Sequence, residues 1–369
     1  MISIIGAGPV GSYLGYILAK KGYRVDIYEE HKEIGKPVQC TGITTSALTK
    51  IIRPKPCFVI NRIKKTRVYA PNNDFAEIRL NENLILDRAK FDQYIADMAE
   101  KHGANIHLGH KFLDFRNNQL ILRYKGKRKT LKTKMLVGAD GPSSQVAKSC
   151  GIWGKREFFI GVQARAYLDN DNVVEFFPGI GDFAWIVPES KGVVRIGLVS
   201  RKNPNLYLKN FLQLKIGKYY EKRIIEKRGG LIPVYNPRLK IQKENVFLVG
   251  DAATMVKATT AGGIIQGLTA AEVLADSIIH KKDYQKEWKK KLGKDLYLSL
   301  VIRKVLDKFS EKDYNLLIKL VKKQSIVDLL EKYDRDYPTR MMPKLTFETI
   351  KEPRLLLFAR HFFNHNIYI

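Results

Sequence analysis

Cysteine is scarce in these 369 residues: Cys40, Cys57 and Cys150 form no Cys-x-x-Cys pair and no Cys/His cluster. Neither a disulfide framework nor a structural zinc site is expected, and a reducing, cytoplasmic setting fits. The seven histidines form no catalytic constellation. Acidic residues are few as well, 37 Asp and Glu against 65 Lys and Arg, for a net charge of +28. Such an excess implies an anionic neighbour: nucleic acid, a membrane surface or an acidic substrate. No nucleic-acid-binding module accompanies the charge, so nucleic acid is not expected as a partner. Long apolar runs are also missing. The first nineteen residues are uncharged, but no basic residue precedes them and Gly6, Gly8, Pro9 and Gly11 interrupt them. They read as a buried strand, a tight turn and a helix, not as a signal peptide or membrane span.

What remains is a globular composition, 45% hydrophobic and 28% charged, long enough for two or three domains. The charge is segregated. Residues 50–69 hold seven basic and no acidic residues, 110–135 nine and one, 200–245 twelve and three, and 281–369 twenty-one and twelve.

The opening reads as strand, turn, helix, strand: Ile2 to Ile5, the fingerprint Gly6-Ala7-Gly8-Pro9-Val10-Gly11, a helix to about Lys21, and a strand from Arg24 to Tyr28. In such a unit the first glycine permits the turn, the second lets backbone approach a pyrophosphate, and the third lets helix and strand pack closely. The helix start attracts phosphate. Glu29 follows at the spacing of a carboxylate that binds ribose hydroxyls, with Glu30 beside it. The unit predicts a dinucleotide site, the bland alternative being a turn without a ligand. Two later strands end in Asp beside glycine, at Gly138-Ala139-Asp140-Gly141 and Gly250-Asp251-Ala252-Ala253, where ligands of open α/β sheets bind. Ala261-Gly262-Gly263-Ile264 then opens a helix, with ordinary close helix packing as the bland reason for its glycines.

These three motifs in this order resemble the FAD-binding flavoprotein hydroxylase superfamily. Asp87-Arg88-Ala89-Lys90-Phe91-Asp92 is similar to its DRxxFD pattern. The resemblance implies an α/β fold: a Rossmann-like FAD-binding domain with an antiparallel β-sheet substrate domain and a C-terminal helical region. It assigns cofactor contacts to Gly6, Ala7, Gly8, Gly11, Glu29, Cys40, Arg88, Asp140, Asp251, Gly262, Gly263 and Ile264. For Arg88 an ion pair with Asp92 at i,i+4 is the alternative. Within the superfamily, Lys36-Pro37-Val38-Gln39-Cys40-Thr41-Gly42-Ile43 and Phe183-Ala184-Trp185-Ile186-Val187-Pro188 resemble segments of the geranylgeranyl reductases, including archaeal digeranylgeranylglycerophospholipid reductases. The second segment is also similar to the WxWxIP motif of flavin-dependent halogenases. Phe183, Val187 and Lys257 depart from the reductase pattern.

The resemblance implies saturation of isoprenoid double bonds in membrane lipid precursors by hydride from reduced FAD plus a proton. The alternatives are a halogenase or monooxygenase, or a non-enzymatic membrane or RNA adaptor. The expected partners are a polyprenyl lipid, a reductant such as NAD(P)H or a ferredoxin-like donor, and peripheral contact with an anionic membrane. No metal is expected. An isolated alkene is a poor hydride acceptor, so a proton donor must contribute. Cys40 is the candidate by position, with an inert buried thiol as the alternative. Phe176, Phe183 and Trp185 are assigned to the substrate, although aromatic residues in strands often serve only the core. The expected division is 1–60, 87–150 and 236–283 for FAD, 61–86 and 151–235 for the substrate sheet, and 284–369 for the basic helical region. Helices are predicted over Tyr284 to Phe309 and Lys312 to Tyr333, and Pro353 to Phe363 is compatible with an interfacial helix.

Overall fold

The computed structural model describes residues 1–345. Its first sheet has six strands, in the order Gln242–Lys243, Val246–Leu248, Met135–Gly138, Ile2–Ile5, Val25–Tyr28 and Asn105–His107. Neighbours run parallel except for the Gln242–Lys243 edge. Ile2–Ile5 and Val25–Tyr28 are buried at every position, as strands covered on both faces must be. Helix Pro9–Lys20 makes the crossover and packs against helices Arg88–Lys101 and Ile264–Ile279. Leu14 and Leu18 of that helix are fully buried. This is the Rossmann-like half of the molecule.

The second sheet has eight strands, in the order Ile224–Pro233, Phe158–Tyr167, Val193–Ser200, Phe183–Ser190, Val174–Pro178, Val59–Tyr69, Phe75–Leu86 and Ile43–Thr44. It is antiparallel except where Val174–Pro178 lies parallel to Val59–Tyr69, the seam between its two chain segments. Ile43–Thr44 and Val59 both pair with Phe75–Leu86, which corrects the expected first cofactor segment of 1–60. That segment already gives strands to the second sheet. A small three-stranded sheet of His110–Arg116, Gln119–Tyr124 and Lys127–Lys132 was not anticipated. Its Phe112, Leu120 and Leu122 join the first core, while Lys127–Lys132 is almost wholly exposed. The second basic block is thus a solvated edge.

Among the described residues, the helices after residue 283 pack onto the two sheets and form no separate core. Tyr284, Trp288, Leu292 and Leu296 pack into the first core and Leu300 into the second sheet's inner cluster. Tyr284–Trp288 runs through a π turn at Lys289–Gly293 into Lys294–Leu306. The helix predicted over Lys312 to Tyr333 is two, Glu311–Val321 and Gln324–Lys332, parted at Lys322 and Lys323. Both rest on strand Phe75–Leu86. The segment Pro353 to Phe363 lies outside the described residues.

Candidate active site

The glycine fingerprint and the two glycine-aspartate motifs fall at the carboxyl ends of adjacent strands, Ile2–Ile5, Met135–Gly138 and Val246–Leu248. Gly6 has φ +103°, and a Cβ there would lie 2.4 Å from the Ala139 carbonyl oxygen. A Cβ on Gly11 would lie 2.1 Å from the Gly6 oxygen. At Gly8 a Cβ would meet nothing within 4 Å. That open side, at the start of a helix whose N-cap Gly8 offers no side-chain acceptor, leaves backbone N–H groups available to an anion. Helix Arg88–Lys101, by contrast, is closed by the Asp87 carboxylate. Glu29 turns back onto the same loop, its Oε2 accepting from Ala7 N–H at 2.9 Å and its Oε1 from His31. Glu30 pairs outward with Lys111.

Two carboxylates face the same region. Asp140 Oδ2 accepts from Val146 N–H at 3.0 Å, while its buried Oδ1 has no partner. Burial pushes the Asp251 carboxyl up to about 6, with the Arg88 charge pulling it down. Oδ1 of Asp251 lies 3.0 Å from where a Cβ on Gly263 would stand, so a side chain there would crowd that acid against helix Ile264–Ile279. The helix opens on Gly263 without a side-chain cap. Sequence reasoning missed Arg156. Its Nη2 donates to the Ala252 oxygen at 2.9 Å and its guanidinium stacks 4.0 Å over Trp153, while the buried Nη1 has no partner. An open glycine cradle, uncapped helix starts and orphaned polar atoms at Asp140 and Arg156 suit a bound dinucleotide. Nothing in the local sequence distinguished Arg156 from the other basic residues.

The Cys40 segment joins the two sheets. Cys40 Sγ accepts from Gly42 N–H at 3.3 Å and lies near the half-buried Arg88 guanidinium. Arg88 also binds Asp92 with two contacts of 3.1 Å, so the i,i+4 pair is formed. Gly42, at φ +79°, would place a Cβ 2.9 Å from Arg195 Nη1. That buried arginine, also missed in the sequence, donates to the carbonyls of Thr41 and Leu86 and to Glu189. It therefore pins the cysteine segment to the second sheet. Thr41 Oγ1 donates to Gln163 Oε1 at 2.9 Å.

Phe183 and Trp185 alternate on one strand and Phe176 pairs in register with Trp185. All three belong to one cluster on the sheet's inner face, together with Ala258 and Ala261 of the loop before the glycine pair. The Phe183 and Trp185 rings lie 5.8 Å apart. Gly197, opposite Trp185 and Gln163 in register, would carry a Cβ 2.8 Å from the indole and 2.6 Å from Gln163 Cβ. Its bare backbone is what lets the indole lie across the sheet toward Gln163 and Thr41. The Trp185 Nε1 is buried without a partner. A cleft of about 400 Å³ opens between Lys36–Gln39 and residues 226–229 of the edge strand.

Comparisons with known proteins agree with this geometry. The NAD(P)-binding Rossmann-like domain family matches residues 4–41 and the FAD binding domain family matches residues 55–215. A digeranylgeranylglycerophospholipid reductase of Methanothrix thermoacetophila is 28% identical, covering 94% of this chain and 97% of that protein. An uncharacterized protein of Methanocaldococcus jannaschii is 31% identical over 90% of each. Among solved structures, a geranylgeranyl bacteriochlorophyll reductase-like protein from Thermoplasma acidophilum superposes with a TM-score of 0.81 at 22% identity, over 95% of this chain and 98% of that one. A flavin-dependent brominase shares the fold at a TM-score of 0.73 and 16% identity, over 95% and 99%.

Proposed function

The chain belongs to the geranylgeranyl reductase family of FAD-dependent oxidoreductases, and from that premise we propose that it saturates geranylgeranyl double bonds in membrane lipid precursors. The observation that carries this reading is the meeting of the Cys40 segment, pinned by Arg195, with the inner sheet face that presents Phe176, Phe183 and Trp185. When bound, reduced FAD supplies the hydride; the protein supplies position, dryness and the proton. The Gly6–Gly11 turn and the Pro9–Lys20 helix start hold the pyrophosphate, Glu29 the ribose, and Asp140, Arg156 and Asp251 the polar parts between. Gly262, Gly263 and Ile264 offer backbone N–H groups to the ring. The aromatic face aligns an apolar chain and excludes water. Cys40 holds, at Sγ, the proton destined for the second alkene carbon.

The lipid precursor would reach this site from a membrane surface, and helix Pro204–Ile216 fits that contact. Leu206 and Leu214 project outward at 56% and 70% exposure, with Tyr207 on the same face and Tyr219, at 70%, just beyond. Lys202, Lys209, Lys218 and Lys222 surround them. The proposed contact is peripheral; no described helix is long and apolar enough to cross a membrane. NAD(P)H or a ferredoxin-like protein is the expected electron source.

Anaerobic incubation of the holoenzyme with dithionite and a geranylgeranyl lipid tests the proposal. Products two mass units heavier per double bond are expected. Unchanged substrate across a set of such lipids would remove it, and aerobic halogenation of a phenol or tryptophan would put a halogenase in its place.

A further inference from the structure

Lys257 stands in the loop between the aspartate turn and the glycine-opened helix. Its ammonium is buried and paired with the Asp336 carboxylate, contributed by the C-terminal region. Asp336 is itself 2% exposed. It also accepts from Gln266 Nε2 at 3.1 Å, on the glycine-opened helix, and from Thr45 Oγ1 at 2.6 Å, three residues beyond Gly42. Lys257 N–H donates to the Gly262 oxygen at 3.1 Å. A Cβ on Gly262 would lie 3.2 Å from Lys257 Cε and 3.5 Å from Nζ. The charge pair therefore stands directly behind Gly262–Gly263, the backbone assigned to the flavin ring.

Stability is a poor reason for such a pair, because apolar replacements of similar volume are often as stable as a buried ion pair. Its effect on a neighbouring group that gains negative charge on reduction is large, since charges act strongly where water is excluded. We propose that Lys257 and Asp336 are positioning residues that set the flavin's reduction potential, two opposed charges balanced behind the glycine pair by the C-terminal region. The inference rests on FAD as the cofactor. Lys257 favours the reduced ring, Asp336 opposes it, and the Gln266 and Thr45 hydrogen bonds damp the carboxylate's share.

The test is the FAD midpoint potential of purified holoenzyme, measured by dye equilibration, alongside the flavin content of each protein. Lys257→Met is expected to lower the potential and Asp336→Asn to raise it. Each shift should reach a tenfold change in the reduced-to-oxidised equilibrium, about 30 mV for a two-electron couple. The double variant should return close to wild type. Shifts of the same sign in both single variants, or none in proteins that retain FAD, would overturn the proposal. An unpaired buried charge can prevent folding, so Gln266→Met provides a second reading: it strips one donor from Asp336, leaves both charges, and should lower the equilibrium about threefold. An unchanged potential in that variant also overturns the proposal. Wild-type protein that takes up no FAD would instead count against the cofactor assignment.

Discussion

Asp251 and Cys40 have different proposed roles, and each makes a separate prediction. Burial holds the Asp251 carboxyl up at about 6, against about 3.9 for an unfolded aspartate. The native state therefore binds this proton more tightly than the unfolded one. The stability the group contributes is full below about pH 4 and is lost as pH rises through about 6. Asp251→Asn should accordingly raise the melting temperature of cofactor-free protein at pH 8, by a few degrees, with the gap closing at pH 4, while FAD binds more weakly. Melting curves at the two pH values decide it; an equal gap at both would refute the account. Cys40→Ser should slow alkene reduction by about 100-fold, the lower end of what a positioned proton donor contributes, with FAD content unchanged. Undiminished reduction would remove Cys40 from the chemistry. At this scale the sequence was legible where a motif fixed the residue. The Gly6 and Gly11 contacts follow from the fingerprint, whereas Arg156 and Arg195 carry no local signal because their partners lie up to 154 residues away.

Among the elements, the inner face of the eight-stranded sheet depends on a register that no single strand reveals. Alternation alone puts Phe183 and Trp185 on one face. That Phe176 and Gly197 lie opposite Trp185 depends on pairing with two other strands. Gly197→Ala would force the new Cβ against the indole, against Gln163, and 2.8 Å from the Val162 carbonyl oxygen. Overpacking of this kind costs about 1–3 kcal/mol. The expected outcome is a lower midpoint in urea and a higher KM for the isoprenoid substrate, with FAD affinity unchanged. A KM equal to wild type would mean that the indole does not contact substrate. The parting of the second tail helix belongs here too. Its apolar spacing continues across Lys322 and Lys323, so the break comes from how each half docks on strand Phe75–Leu86 and not from a breaker residue.

For the molecule as a whole, the charge of +28 is divided among different elements. The 110–135 block forms the solvated three-stranded sheet, while the 200–245 block spans the outward helix, the edge strand Ile224–Pro233 and the turn toward Gln242. Only the latter combines lysines with exposed Leu206, Leu214 and Tyr219. Near an anionic bilayer each basic residue adds about 1 kcal/mol of attraction. The protein should float with vesicles containing an anionic phospholipid and much less with neutral ones, and high salt should release it with FAD still bound. Leu206→Asp with Leu214→Asp should abolish the association. Vesicle binding that ignores salt and this double substitution would return the charge to a role in solubility.

The sequence by itself determined the dinucleotide turn, the identity of the cofactor and the family, because a glycine that must allow a close approach and a strand that must be buried leave their mark within a few neighbouring residues. It also placed Phe176, Phe183 and Trp185 in strands. Tertiary structure alone decided that Ile43–Thr44 belongs to the second sheet, that Arg195 holds the cysteine segment, and that Asp336 reaches Lys257 behind the glycine pair. Those contacts join residues 42, 154 and 79 positions apart. Local propensity and periodicity act over a few residues, so pairings at such separations are specified only when the chain has packed and each buried charge has found its partner.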